Sequence, residues 1–445
     1  MLIRPVFHDP SGRRGRMWRY FLVAVAASVA LLGGSLAIGV LQPPVVEPLP
    51  ITASLASRRI GGAADSTGRP CGKRCPPMAT TRHVGTPVTD PIVAGFVVQW
   101  DAGSRAALKR YGDRLDWVII EGAFLGRGKP GEITITLDED LLDEARRRDL
   151  GVHLMLTNFG ASGFDSTLVS TVVGTPATRT RAVQQLVDVV RAHDLKGITL
   201  DFELVPAAEH PQVLAFIREL RSALAPFGAV LSAALPISDG DGYPLAAYGA
   251  ALDYAIPMLY DEHADETEPG PVASAPWFAE RLDAVLDSIP AHKVLVGLGQ
   301  YGYHWRSDRP QAATVSVSEA MALGRVTRSG PWFDGRTRNP YATWRDGQGI
   351  THTVWYLDAA TAWNQITVAS ATGAAGLALW RLGGEDATLW RVLARTGRTG
   401  SPNELRELLN DGVSVIVGEG EVLAVERQSG RGKRTVQVDA RGYIQ

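Results

Sequence analysis

Two carboxylates stand two residues apart in an otherwise apolar stretch, Asp201 and Glu203 of LKGITLDFELVP (195–206). Extended chain alternates its side chains with a period of two, so Thr199, Asp201 and Glu203 share one face and Ile198, Leu200 and Phe202 the other. At about 3.3 Å per residue the two acids leave the backbone roughly 6.6 Å apart, close enough for their titrations to couple. A negative neighbour raises the proton affinity of a carboxyl, which keeps a usable general acid near neutral pH. The plainer reading of an isolated D-x-E is a polar strand end bridged to Arg or Lys. The surrounding elements decide between the two.

Short apolar runs recur along the chain: IVAGFVVQW, LDWVIIEG, VHLMLTN, GITLDFE, AVLSAALP, LDYAIPMLY, KVLVGLGQY and GLALWRL. Amphipathic helical patterns separate several of them, among them TRTRAVQQLVDVVRAHD, HPQVLAFIRELRSALAPFG and APWFAERLDAVLDSI. Strand, helix and strand in repetition imply parallel strands with helical crossovers, and about eight units predict a (β/α)8 TIM barrel of the α/β class. A doubly wound sheet is less favoured because VVQWDAGSRAALKR carries no GxGxxG after the first strand. Chemistry in such barrels sits at the carboxyl ends of the strands. There the sequence places Trp100, Asp101, Glu121, Thr157, Asn158, Asp201, Glu203, Tyr260, Asp261, Gln300, Tyr301, Trp380 and Arg381, all expected at one mouth. Between the seventh and eighth strands, 302–375 is too long for a simple crossover and carries aromatics at Tyr303, Trp305, Trp332, Tyr341, Trp344, Trp355 and Tyr356. An inserted subdomain walling a cleft is expected, with each aromatic read first as insertion core and second as a sugar platform.

The 445 residues are 45% hydrophobic and 21% charged with a net charge of -2, which suits a globular chain and gives no basic field for nucleic acid. An uncharged run at 20–41 would span about 33 Å as a helix, enough for one membrane crossing. Arg13, Arg14, Arg16 and Arg19 precede it and the next cation is Arg58, so the cytoplasmic side holds residues 1–19 and the rest lies outside. A cleaved secretory signal is the alternative, although its apolar core usually runs about 7 to 15 residues. Residues 42–90, rich in Pro, Gly, Ser and Thr, read as an extracytoplasmic linker. Cys71 and Cys75 lie in that linker, where an oxidising compartment permits a small disulfide loop; two thiols with His83 fall short of a four-ligand zinc site. The barrel is expected over 91–398 and a small β-rich appendage over 399–445, where ELRELLN reads as a helix and VSVIVGEGEVLAVE as two strands.

The set GITLDFE, PMLYDEH, GLGQYGYHW and GLALWRLGGED, in this order and spacing, resembles glycoside hydrolase family 18. It looks most like barrels that bacterial proteins fuse to a polysaccharide deacetylase and a glycosyltransferase, so an enzyme of either kind is an implied partner. The family signature DGxDxDxE falls on Lys196 to Glu203. The resemblance implies that Glu203 is general acid and then base, that Asp201 orients the substrate's N-acetyl group, and that Tyr260 donates to the acetamido carbonyl. It further implies that Asp261 binds a sugar hydroxyl or positions Tyr260 and that Trp380 is the floor under the reacting sugar; Tyr301, Asn158 and Trp100 complete the expected substrate contacts. Two acids on one strand face do not readily flank a sugar ring, which fits a family in which the substrate's own acetamido oxygen attacks. Lys196 and Thr199 replace two signature acids, and LTNFG replaces the SxGG common in chitinases.

The expected activity is therefore that of a membrane-anchored retaining glycosidase acting on N-acetylglucosamine-containing glycans such as exopolysaccharide, peptidoglycan or a chitin-like polymer. It needs no cofactor and no metal. The alternative is a glycan-binding barrel without turnover. A metal-dependent phosphodiesterase would want more convergent acids or histidines than His153 and His263 supply. His263 and His304 are read as structural residues.

Overall fold

The computed structural model describes residues 81–126, 131–160, 163–237, 242–327, 329–387 and 389–393, and three further strands between 413 and 438. The apolar run at 20–41, Cys71, Cys75 and the segment ELRELLN lie outside the described residues. No helix among the described residues is long and apolar enough to cross a membrane.

All eight apolar runs form strands. They are β1 (Ile92–Val98), β2 (Trp117–Leu125), β3 (Gly151–Thr157), β4 (Gly197–Asp201), β5 (Val230–Leu235), β6 (Tyr254–Pro257) and β7 (Leu295–Gly299), with β13 (Gly376–Trp380) last in the sheet. Their order is β7-β13-β1-β2-β3-β4-β5-β6 with every neighbouring pair parallel. Two isolated parallel bridges, Ala255 to Val294 and Met258 to Gly297, join β6 to β7 and nearly close the barrel. The helices between strands begin on local caps: Asp101 caps α1 (Ala102–Tyr111), Asp138 caps α2 (Glu139–Arg147) and Asp165 caps α3 (Ser166–Val173). Thr175 and Thr178 form a capping box for α4 (Pro176–His193). Crossovers α5 (His210–Leu224), α6 (Leu245–Ala251) and α7 (Ala275–Leu286) follow β4, β5 and β6.

Alternation divides the core in two. Ala94, Phe96, Ile119, Met155, Ile256, Leu295 and Ala378 point inward and fill the barrel, whereas Val93, Val97, Val118, Ile120, Leu154 and Ile198 pack outward against the helices. The inward rows carry polar residues at the mouth, among them Glu121, Thr157 and Asp201. Residues ahead of β1 clasp the barrel's flank: Thr81 and Arg82 bond Asp283 of α7, and His83 bonds Asp287.

The insertion is a five-stranded antiparallel sheet of β8 (Gly302–Arg306), β9 (Ala313–Val315), β10 (Trp332–Phe333), β11 (Pro340–Arg345) and β12 (Thr351–Tyr356), ordered β9-β8-β12-β11-β10, with α8 (Val317–Val326) against it. Several of its aromatics serve its own packing: Tyr356 is buried, Tyr341 stacks on Trp355 at 4.7 Å, and Trp344 stacks on His352 at 4.8 Å. Trp305 instead packs beside Tyr260, Val272 and Ala273. After the insertion, α9 (Ala359–Ser370) leads into β13. Near the C-terminus β14 (Val413–Gly418), β15 (Val422–Ser429) and β16 (Gly432–Val438) pair antiparallel, so RTVQV adds a third strand to the two read from the sequence.

Candidate active site

A cleft of about 770 Å³ opens at the carboxyl ends of the barrel strands. Asp201, Glu203, Tyr260, Asp261, Tyr301, Trp380 and Trp100 all line it. Asn158 does not, although the sequence placed it among the substrate contacts. It is fully buried beneath the cleft, where its Nδ2 donates to the Glu203 carbonyl at 2.9 Å and its Oδ1 accepts from the Glu203 amide at 2.9 Å.

That pair of bonds bears on a second difference. Strand β4 stops at Asp201, whose last partners are Thr157 on β3 and Ala234 on β5, so Glu203 stands in the loop beyond the ladder. An amide side chain offers one donor and one acceptor in a plane, as a neighbouring strand does, and Asn158 uses both on the Glu203 main chain. The catalytic candidate is thus held by a side-chain substitute for the missing ladder. Leu204, the next residue, has φ 57 and is 66% exposed at the cleft. Positive φ is unusual for a branched apolar side chain, and such strain persists where surrounding contacts impose it.

Asp201 is 5% exposed. Burial pushes its carboxyl up to about 7, a hydrogen bond from Thr157 draws it back, and the charge of Glu121 raises it again. Beneath it on the same face, Thr199 is buried and shares a 2.9 Å hydrogen bond with Ser232. The position that holds an acid in the family signature is therefore neutral and committed to β5. Tyr260 is buried beside the carboxylates: burial first, then the charges of Asp261, Glu203 and Asp201, hold its phenol well above the ordinary range, so it remains a donor. Asp261 has φ 65 and accepts from Tyr301 Oη and, at 3.0 Å, from Tyr303 Oη. Burial moves Asp261 up to about 6 against those two bonds. Tyr301 thus lends its ring to the cleft and its hydroxyl to Asp261.

Trp380 lines the same cleft, packed edge to face on Phe96 at 5.2 Å and against the cluster of Tyr260 and Tyr301, and its peptide bond to Arg381 is cis. Trp100 is 73% exposed at the rim. Its indole N–H donates to Glu121 Oε2 at 3.1 Å, and the Arg381 guanidinium lies 4.9 Å from its ring while ion-pairing with Asp101. The ring is held on two sides, with its exposed surface free to stack. The insertion contributes Thr314 to Ser316 and Glu319 as a wall. The spacing of the sequence carries no signal for those residues, nor for the use of Tyr303 on Asp261, although the Tyr-Gly-Tyr repeat puts both hydroxyls on one strand face. No cluster of three metal-ligating side chains occurs among the described residues.

A barrel that carries Asp201 at the end of its fourth strand and Glu203 just beyond it, with a buried tyrosine and a tryptophan lining the same cleft, has the architecture of a glycosidase. Residues 93–385 match the model of Glycosyl hydrolases family 18, and the chain belongs to that family. It is 32% identical over 212 residues to "Putative sporulation-specific glycosylase YdhD" of Bacillus subtilis (strain 168), a match that covers 46% of this chain and 50% of that protein. The chain thus spans about half the length of that relative. The crystal structure of a chitinase from Chromobacterium violaceum superposes with a TM-score of 0.64 at 27% identity, over 69% of this chain and 98% of that one. The Bacillus cereus spore cortex-lytic enzyme SleL shares the fold at 20% identity, with a TM-score of 0.63 over 69% of this chain and 74% of its own.

Proposed function

We propose that the chain is a retaining, substrate-assisted glycosidase that hydrolyses N-acetylglucosamine-containing glycans outside the cytoplasmic membrane. The observation that carries the reading is the joint placement of Glu203, Asp201, Tyr260 and Trp380 around one cleft. Glu203, fixed through its main chain by Asn158, donates its proton to the glycosidic oxygen. The substrate's acetamido oxygen attacks the anomeric carbon as the leaving group departs, giving a cyclic oxazolinium. Glu203 then takes a proton from water, and the attacking oxygen opens that ring with net retention. Asp201 holds the acetamido N–H and offsets the developing positive charge, Tyr260 donates to the acetamido carbonyl oxygen, and Asp261 binds a hydroxyl or braces the tyrosines.

The apolar run at 20–41, flanked by arginines on one side only, supports a single anchor with the barrel outside the cell membrane, in a periplasm or at the cell surface. A polysaccharide deacetylase or glycosyltransferase working on the same polymer is the partner that the resemblance suggests.

The test is to incubate the full-length chain with β-1,4 and β-1,6 glucosamine oligomers, acetylated and deacetylated, and with peptidoglycan, and to identify products by mass spectrometry. Cleavage confined to bonds beside acetylated sugars agrees with the reading. Equal cleavage of deacetylated oligomers sinks the substrate-assisted step, and binding with no cleavage of any of them returns the chain to a glycan-binding role. Membrane fractionation before and after alkaline extraction tests the anchor: release of the intact chain by carbonate contradicts it.

A further inference from the structure

We propose that Glu121 is a positioning residue of the reacting centre, the carboxylate that sets the proton affinity of Asp201 in place of an acid at Thr199. This rests on the glycosidase reading of the cleft. The geometry comes from the sheet. Trp117, Ile119 and Glu121 are alternate residues of β2, with Ile119 in the inner core, so Glu121 faces inward; its register partner on β3 is Met155, whose own partner on β4 is Thr199, one inward position below Asp201. One strand separates them, and its inward terminal residue, Thr157, is the register partner of Asp201 and its hydrogen-bond donor. Two strand spacings and a two-residue step along the strand put the two backbones about 12 Å apart, and both side chains line the same cleft. Immediately after Glu121 the register with β3 shifts between Glu121 and Ala123. An ideal Cβ on Gly122 would stand 2.6 Å from the Thr136 carbonyl oxygen, so the irregular step leaves no room for a side chain. Such bulges re-aim the side chains next to them: Ala123 packs outward, and Phe124, the register partner of Thr157, is the next β2 residue on the inward side beyond Glu121.

Glu121 is itself 8% exposed, and burial raises its carboxyl while the Trp100 bond and the Arg381 charge lower it. The same residue therefore reads substrate contact at the rim through Trp100 and proton affinity at the centre through Asp201. The groups that face this pair are Thr157 on β3, Glu203 beyond β4, Tyr260 and Asp261 beyond β6, and Arg381 beyond β13 with its partner Asp101 beyond β1. Of these, Arg381 is the cation, and it already ion-pairs with Asp101.

The experiment is a carbon-13 carboxyl NMR titration of the aspartates in the full-length chain, with Asp201 assigned by Asp201→Asn, in the unmutated protein, Glu121→Gln and Trp100→Phe. Gln keeps the shape and an acceptor for the Trp100 indole but removes the charge. Two charges about 12 Å apart at an effective dielectric near 20 predict that Asp201 titrates roughly one pH unit lower in Glu121→Gln. Trp100→Phe breaks the hydrogen bond and keeps the charge, so Asp201 should stay where it is. Glu121→Ala removes the charge in a second way and should give the same acid shift. An Asp201 titration unmoved in both Glu121 variants overturns the proposal, as does an equal shift in Trp100→Phe, which would assign the effect to packing. The pH profile of cleavage of the β-1,4-linked N-acetylglucosamine tetramer should move in the same direction as the NMR titration. Absence of cleavage by the unmutated chain would strike the glycosidase reading, while the NMR arm would still decide the Glu121–Asp201 coupling.

Discussion

Replacing Asn158 by Leu tests whether the position of Glu203 is made by a side chain. Leu matches the volume of Asn closely enough to avoid a large cavity, but it removes both 2.9 Å bonds to the Glu203 main chain. Each such bond contributes about 1 kcal/mol net, and a freed main-chain group that stays away from water adds about 1–3 kcal/mol. The expected loss of folding free energy is therefore about 2–4 kcal/mol, read from urea unfolding followed by tryptophan fluorescence. The larger consequence is functional. Glu203 sits past the end of β4 and depends on this clamp, and a displacement of about 1 Å at a reacting group costs on the order of 100-fold in rate. The assay is steady-state cleavage of acetylated oligomers. The account expects kcat to fall about 100-fold with KM changed little, because Asn158 does not line the cleft. A kcat within about threefold of the unmutated protein, with the same loss of stability, would refute the view that this clamp positions the acid.

Other perturbations separate the remaining parts of the cleft. Tyr260→Phe removes a buried donor beside the carboxylates and should lower kcat by about 100-fold while binding of the oligomer weakens less than tenfold, as measured by calorimetry. Trp380→Ala removes the aromatic floor and the contact with Phe96, so KM should rise by about 10-fold or more, with a stability cost of about 3–5 kcal/mol. Acid should destabilise the fold through its buried histidines. Burial pushes His153 down to about 3, and burial with the neighbouring His352 and two arginines pushes His304 down to about 4. Both stay neutral in the fold while the unfolded chain takes up protons below about 6.5, so their contribution to stability is present above that pH and is lost as pH falls toward 4 and then 3. His153 stacks on Trp117 at 4.3 Å and neither ring nitrogen has a hydrogen-bond partner among the described residues, so His153→Phe should flatten the loss between pH 6.5 and 4 in denaturant titrations.

The strands of the barrel were legible because each is a β-branched or aliphatic run between turn residues, a signal contained within eight or nine consecutive positions. Asp201, Glu203, Tyr260, Asp261 and Trp380 were legible for the same reason: they end such runs, and a parallel barrel gathers those ends at one mouth. What the sequence left hidden are contacts between side chains and distant main chain. Asn158 reads as a strand-end polar residue in contact with substrate, and nothing in LTNFG shows that its amide turns 45 residues forward to Glu203. Two-residue alternation also carries Glu203 onto the strand, whereas the ladder stops at Asp201, paired with Thr157 at the end of β3 and with Ala234 on β5. Tyr301 is expected at the substrate and lines the cleft, but no local pattern shows that its hydroxyl donates to Asp261 at a turn of positive φ. The insertion was visible from its length and aromatic content, but its five-strand pairing and the wall at 314–319 depend on long-range register that no local pattern encodes.

The most direct test of the central claim is the anomeric configuration of the first product. The full-length chain is mixed with an acetylated glucosamine oligomer that it cleaves, and proton NMR is recorded within the first minutes, before mutarotation, beside a Glu203→Gln blank. Attack by the acetamido oxygen followed by water at the same carbon predicts the β anomer from a β-linked substrate and no product from Glu203→Gln. Initial appearance of the α anomer, or the same product at the same rate from Glu203→Gln, would contradict the account.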